Sequence, residues 1–172
     1  MIEFISYSDC YRNFAKNILE NSFPKEERPD FDILISRKDA EYNFCIILDN
    51  GNTCGIIGYW HFDDFVFCEH FAIDSKLRNN GVGGCAFDLF LKHTNKLIVL
   101  EVETPDNELS ARRINFYKRH NMVFNDYFYM QPLYGTQEFV MQQYIMSTKK
   151  LSKEEFESVK IEIYRNVYKV LE

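Results

Sequence analysis

The sequence has no basic stripe, and its charged residues are predominantly acidic. It contains 26 Asp and Glu residues against 20 Lys and Arg residues, which gives a formal net charge of −6. Proteins that hold nucleic acid through its phosphates need clustered Lys and Arg side chains. The composition therefore argues against a nucleic-acid partner.

Long apolar runs and paired cysteines are also missing. No segment has the length of a membrane-spanning helix, and the N-terminus has no basic stretch followed by an apolar one. The 5 cysteines are odd in number and widely spaced, with no C-x-x-C pair and no zinc-ligand spacing. We therefore expect reduced thiols, no metal site, no membrane association and a cytoplasmic location.

Linkers rich in Pro, Gly or Ser, low-complexity tracts and repeats are absent, so we predict one domain over residues 1–172. Hydrophobic periodicity and turn residues then predict a series of strands and helices along the chain. In chain order these are a strand Ile2–Tyr7, a helix from Ser8 or Asp9 to about Asn21, a short helix Phe31–Arg37, strands Tyr42–Leu48, Thr53–Phe62 and Phe65–Ile73, a helix Val82–His93, a strand Leu97–Glu103, a helix from Pro105 or Asp106 to His120, and a hairpin of Phe124–Met130 and Glu138–Met146.

The C-terminal segment predicts a closing amphipathic helix over about residues 152–171. Ser152 and Glu155 have the spacing of a capping box. Apolar residues then recur at helical spacing at Phe156, Val159, Ile163, Val167 and Val170. We expect this stripe to cover one face of the domain, and the alternative is a homodimer or partner surface.

Three of only 7 glycines fall within four positions, in the stretch LRNNGVGGCAF over Leu77–Phe87. A strand, a glycine-rich turn and a helix N-terminus together form a phosphate site, because the first helical N–H groups have no intrahelical acceptor. Glycines let a phosphate approach the backbone, and Arg78 adds a cation. A tight turn into a helix would need only one glycine, so we favour the phosphate site.

Two well-known phosphate motifs fit this stretch less well. A P-loop needs Lys-Ser or Lys-Thr after the last glycine, and neither follows here. Gly81–Ala86 matches the dinucleotide pattern G-x-G-x-x-G/A, with Glu101 about 20 residues beyond. However, Asp74–Asn80 separates the preceding strand from the first glycine, and the earlier strands resemble an antiparallel meander.

The stretch Arg78–Gly84 resembles the R/Q-x-x-G-x-G/A signature of the GCN5-related N-acetyltransferase (GNAT) superfamily. Glu69–Asp74 looks like the central strand of that family, and Leu97–Glu103 looks like its next, splayed strand. Phe116–Met122 is similar to its FYxxxGF helix end, with Asn for Gly and Met for Phe. The resemblance, which runs from Ile2 to Met146, implies an α/β fold of the α+β type: a mixed, mostly antiparallel sheet flanked by helices, here with an added C-terminal helix.

The resemblance implies acetyl-CoA as cosubstrate and no metal. In this family the pyrophosphate lies on the glycine turn, and the pantetheine arm binds the backbone of the central strand. The residues that the resemblance places in cofactor binding are Phe71, Ile73, Arg78, Asn79, Gly81, Val82, Gly83, Gly84 and Ser110. Ser110 replaces an Asn that contacts the pantetheine in many relatives, so Asn107 and Asn115 are alternatives for that contact.

The resemblance also assigns catalytic roles. Tyr117 matches the family's general acid, which protonates the departing thiolate. Glu69 is the candidate base, acting directly or through a water, although the family's glutamate position falls by count on Phe67. The alternative is that Glu69 is structural and holds a loop or a neighbouring cation. We expect His70 to point to the opposite face of the strand from Glu69.

The expected function is transfer of an acetyl group to a primary amine by direct transfer in a ternary complex, with a small molecule or a peptide as acceptor. The segments that shape the acceptor site in this family carry here Phe23, Glu26 and Glu27, and Tyr127, Tyr129 and Tyr134. Such an acidic, aromatic pocket would favour a cationic amine, and a solvated loop is the alternative. A non-catalytic acyl-CoA-binding or regulatory protein is the rival function, followed by a dinucleotide oxidoreductase.

Overall fold

The computed structural model describes residues 1–134 and 138–170, without the side chains of residues 139 and 140. It consists of two compact units. The first contains Met1–Lys25 and Pro29–Lys96, and the second contains Glu26–Arg28 and the chain from Leu97 onward. The expectation of a single domain stays a prediction. No helix among the described residues is long and apolar enough to cross a membrane.

The first unit is an antiparallel sheet with three helices. Its strands lie in the order β1 (Ile2–Ser6), β2 (Tyr42–Asp49), β3 (Asn52–His61) and β4 (Phe65–Ile73). The helices are α1 (Arg12–Ser22), α2 (Phe31–Ile35) and α3 (Val82–Leu91). The predicted meander is thus confirmed. Helix α1 begins later than predicted because Asp9–Tyr11 forms a 3-10 turn first, and Ser8 makes no side-chain capping bond in the described structure.

A β-bulge interrupts β4. Gly58 pairs with His70 and Tyr59 pairs with Cys68, so β4 has one more residue than β3 at this point, and that residue is Glu69. An extra residue of this kind bends the strand and shifts which side chains share a face.

Among the described residues, the second unit contains three strands and two α-helices. Its strands β5 (Leu97–Glu103), β6 (Val123–Pro132) and β7 (Phe139–Ser147) lie in the order β5, β7, β6, and both pairings are antiparallel. Helix α4 (Glu108–Arg119) begins at the Asn107 cap rather than at Pro105 or Asp106. The predicted left-handed residue after this helix is confirmed, since Asn121 has a φ of 63°.

The predicted C-terminal helix is present as α5 (Lys153–Ile163), which continues as a π-helical turn over Tyr164–Tyr168. The Ser152 and Glu155 capping box is confirmed. All five apolar residues of the predicted stripe are buried within this chain. The stripe therefore packs internally, as the first of the two alternatives expects, and a homodimer stays a prediction.

Candidate functional site

The glycine turn opens α3 in a conformation that needs glycine. Asn79 and Gly81 both have left-handed backbones, with φ values of 68° and 80°. Gly81 is the N-cap residue, and the first helical hydrogen bond joins the Cys85 N–H to its carbonyl at 3.0 Å. The N–H groups of the next residues have no acceptor within the helix and carry the positive end of its dipole. This arrangement suits an anion.

Neighbouring protein atoms leave enough room for a side chain at position 83, so crowding within the protein does not explain Gly83. A Cβ at this position would lie 3.4 Å from Cγ1 of Ile73, an ordinary contact, and a Cβ at Gly81 would meet no described atom within 4 Å. Left-handed backbone accounts for Gly81, but nothing in the described fold demands glycine at position 83. A ligand that approaches the backbone closely would account for it.

Arg78 is anchored beside this turn. Its Nε donates to the carbonyl of Ile73 at 2.9 Å, and its Nη2 donates to Oγ of Ser22 at 3.2 Å. The side chain is exposed, and a guanidinium has five donor hydrogens. Arg78 is therefore a fixed cation at the end of β4 that can also face an anion. Phe71, predicted to offer main-chain groups, packs its ring on Phe87 with centroids 5.4 Å apart.

The predicted base, Glu69, lies in a buried ion pair. Its Oε2 accepts a hydrogen bond of 2.6 Å from Arg37 and one of 2.7 Å from Nε1 of Trp60. Burial acts to raise the pKa of the Glu69 carboxyl, but the charge of Arg37 and of His70, together with these hydrogen bonds, lowers it below its usual value. A carboxylate held in this way is a weak proton acceptor, and its catalytic role stays a prediction.

The expectation for His70 is wrong, because the bulge disrupts the alternation of faces. Its Nδ1 lies 3.9 Å from Oε1 of Glu69, so the two side chains do not point to opposite faces. The imidazole is buried and meets the ring of Phe23 edge-on at a centroid distance of 4.9 Å.

The two predicted site residues on α4 are both buried. Tyr117 is 8% exposed, and its carbonyl accepts hydrogen bonds from the N–H groups of His120 and Met122 at the end of the helix. The Ser110 hydroxyl donates to the carbonyl of Asn107 at 3.0 Å and belongs to the capping box of α4. This capping bond already engages the Ser110 hydroxyl, and a contact with pantetheine stays a prediction.

The acidic loop predicted for the acceptor site lies with the second unit. Burial is the main cause that raises the pKa of Glu27 to about 7, Glu103 adds to it, and Arg113 opposes it. Arg113 also forms a salt bridge of 3.2 Å with Glu103. Glu27 is therefore a half-buried carboxyl beside a charged pair, rather than a fully solvated one.

Two of the three predicted acceptor tyrosines belong to a cluster that sequence reasoning missed. The Tyr129 phenol donates to Oε1 of Glu101, while the ring of Tyr134 packs at a tilt against that of Tyr168, with the centroids 4.7 Å apart. Tyr127 instead donates to the carbonyl of Leu151 at 3.1 Å. No sequence signal joins Glu101 to residues so far along the chain. In the described residues, no group of three His, Cys, Asp or Glu side chains is placed to hold a metal ion.

Comparisons with known proteins give one consistent answer. The model of the acetyltransferase (GNAT) family matches residues 8–122. A structure from Bacteroides thetaiotaomicron that is assigned to the GNAT family shares 33% sequence identity, covers 99% of both chains and has a TM-score of 0.89. No protein of curated function matches the chain.

More distant structures share the fold. The ribosomal-protein-S18-alanine N-acetyltransferase from Escherichia coli is 17% identical over 90% of this chain and 97% of its own, with a TM-score of 0.63. Ard1 from Thermoplasma volcanium is 23% identical over 88% and 99%, with a TM-score of 0.61. These likenesses confirm the predicted fold class with its added C-terminal helix, and the chain belongs to the GNAT family of acetyltransferases.

Proposed function

We propose that this protein is an acetyl-CoA-dependent N-acetyltransferase that moves an acetyl group to a primary amine by direct transfer in a ternary complex. The observation that carries the proposal is the left-handed turn at Gly81, which opens α3 beside the anchored Arg78. Family membership supports the same cosubstrate.

Each residue of the turn has a definite part in this proposal. The N–H groups of Val82, Gly83 and Gly84 bind the pyrophosphate of acetyl-CoA, with Arg78 and Asn79 beside them. Main-chain groups at Phe71 and Ile73 hold the pantetheine arm. The cosubstrate supplies an acetyl group activated as a thioester. The protein's task is then to orient it and to manage two protons.

The first proton goes to the departing thiolate. A phenol is a suitable donor, because its pKa of about 10 lies close to that of an alkyl thiol. We assign this role to Tyr117, whose burial on α4 keeps competing water away from its side chain.

The second proton leaves the acceptor amine, which attacks only when neutral. Alkyl amines have pKa values of about 10.4 and α-amines of about 8, so an α-amine needs little help at neutral pH. Glu69 is the sequence-based candidate for the base, but the bonds from Arg37 and Trp60 disfavour its protonation.

Thermal unfolding with and without ligands tests the proposal. A ligand at 100 times its Kd stabilises the folded state by about 2.7 kcal/mol, which raises the Tm of a chain of this length by about 5–10 °C. We expect acetyl-CoA to produce such a shift and NAD to produce none. A shift with NAD alone would contradict the proposal, and a shift with acetyl-CoA but no thiol release across a panel of amines would favour a non-catalytic acyl-CoA-binding protein.

The variant Gly83→Ala sharpens this experiment. The new methyl group fits the fold, since its nearest contact would be Ile73 at 3.4 Å, and a helical Ala in place of Gly stabilises a protein by about 0.4–1 kcal/mol. We therefore expect an unchanged or higher Tm without ligand and a lost acetyl-CoA shift. The control is Leu89→Ala, an exposed residue of the same helix, which should keep the shift. If acetyl-CoA raises the Tm of Gly83→Ala as much as that of the wild type, the glycine turn is not part of the binding site.

A further inference from the structure

The carboxylate of Glu69 is held by Arg37 and Trp60, and we call these three residues the clamp. This arrangement suits a structural role better than the role of a base. One carboxylate oxygen accepts both the Arg37 and the Trp60 hydrogen bonds, at 2.6 and 2.7 Å. The side chains of Arg37 and Glu69 are only 10% and 1% exposed. Charge-assisted hydrogen bonds in such a buried setting are short, strong and geometrically demanding.

Aromatic rings fix the cation of the clamp. The guanidinium of Arg37 lies 4.6 Å from the ring centroid of Tyr42 and 5.1 Å from that of Trp60. Arg37 lies two residues after the end of α2, whereas Trp60 belongs to β3 and Glu69 to β4. The clamp therefore ties the chain after α2 to strands β3 and β4 of the first unit.

Glu69 is also the extra residue of the β4 bulge. Side chains and main-chain hydrogen-bonding groups alternate in direction along a strand. One extra residue therefore reverses the direction of these groups in the part of the strand that follows it, relative to the part that precedes it. Beyond the bulge, Phe71 pairs with Ile57 and Ile73 pairs with Gly55. A side chain clamped at the bulge consequently fixes how Phe71 and Ile73 present their backbone.

We propose that Arg37, Trp60 and Glu69 are positioning residues that lock the β4 bulge and thereby set the backbone that receives the pantetheine arm, and that Glu69 is not the proton acceptor. The inference rests on the proposed function, since it assumes that β4 binds acetyl-CoA. It selects the alternative in which Glu69 holds a neighbouring cation.

A double-variant cycle tests this assignment. Removing one partner of a buried pair leaves an uncompensated charge, whereas replacing both by apolar residues of similar size is often tolerated. The variants are Arg37→Met, Glu69→Leu and the combination. A fourth variant, Trp60→Phe, keeps both charges and most of the ring packing but removes one hydrogen bond to Glu69. Because this variant keeps the Arg37 and Glu69 charges paired and the core packed, it remains informative if a variant that removes one of these charges does not fold.

We expect both single variants to unfold at lower urea concentration, because the paired residues are in direct contact. We also expect them to bind acetyl-CoA about tenfold more weakly, because a residue that does not touch the ligand can still alter the backbone that binds it. The double variant should recover most of both losses, and its kcat should recover relative to the single variants. Trp60→Phe should weaken acetyl-CoA binding a few-fold. Binding is measured by calorimetry at a temperature where every compared variant is folded, so that lost stability alone does not change the measured Kd.

Two results would overturn the inference. One is a folded double variant that binds acetyl-CoA as the wild type does but turns over about 10² times more slowly, with the acidic limb of its pH profile gone, because that pattern identifies Glu69 as the base. The other is an unchanged acetyl-CoA Kd in all folded variants. A wild-type protein that does not bind acetyl-CoA at all would instead reject the proposed function, while the urea midpoints still report whether the pair is coupled.

Discussion

The phenol of Tyr168 donates a hydrogen bond of 2.6 Å to Oε2 of Glu101, which lies 67 residues earlier in the chain. Tyr129 donates to the other oxygen of the same carboxylate. Burial is the main cause that raises the pKa of both phenols well above the usual value, and the charge of Glu101 adds to it. The π-helical turn after α5 is thus tied to β5 by a buried, charge-assisted bond.

Replacing Tyr168 by Phe should cost stability. Hydrogen bonds to charged groups contribute about 1.5–3 kcal/mol, so Tyr168→Phe should lower the free energy of unfolding in urea by about that amount. Tyr164→Phe is the matched comparison, because Tyr164 lies in the same turn and donates to the neutral carbonyl of Met130. A neutral bond contributes about 0.5–1.5 kcal/mol. Equal losses in the two variants would show that the Glu101 charge adds nothing.

The pKa of Glu27, about 7 in place of the usual value near 4.5, predicts a pH-dependent stability. At pH values between 4.5 and 7, the carboxyl of Glu27 is largely protonated in the folded protein and largely ionised in the unfolded chain. The contribution of Glu27 is therefore fully present below pH 4.5 and is lost as the pH rises through 7. We expect Glu27→Gln to be more stable than the wild type at pH 8 and to lose part of the decline between pH 5 and 8.

Thermal unfolding across that range measures the effect, and the difference between the two proteins isolates Glu27 from other titrating groups. Glu26→Gln, at the exposed neighbouring carboxylate, is the control, and it should reduce the pH dependence only slightly because the Glu26 charge is the smallest of the causes that raise the pKa of Glu27. Parallel curves for the wild type and Glu27→Gln would mean that the carboxyl is ionised in the folded protein at all these pH values.

The variant Tyr117→Phe tests the assignment of the general acid. The ring still packs in its buried site, so stability and acetyl-CoA affinity should change little. General acid catalysis contributes about 10²–10⁴ in rate, so turnover should fall by that factor once an acceptor is found by screening amines for thiol release. The deficit should shrink with a thioester whose thiolate is a better leaving group, since that thiolate needs its proton less. Turnover within a few-fold of the wild type would make Tyr117 a packing residue.

Local chemistry in the sequence determined the turns and helix ends. Asn50 and Gly51 form the predicted hairpin turn with left-handed backbones. Ser152 and Glu155 form the predicted capping box. Such features depend on residues within four positions of each other, so backbone sterics and side-chain hydrogen bonds decide them before any distant segment arrives. The glycine turn of α3 belongs to the same class, and the family resemblance depended largely on it.

Only the tertiary structure decided the partners of the buried charges. Glu69 meets Arg37 across 32 residues, and Glu101 meets Tyr168 across 67. The bulge that disrupts the alternation between Glu69 and His70 arises from the register of two strands. Nothing in a local pattern states which distant donor a buried carboxylate will find, because that choice minimises the cost of desolvation over the whole packed unit. The sequence therefore predicted the glycine turn, while the role of Glu69 depended on contacts that exist only after the chain has folded.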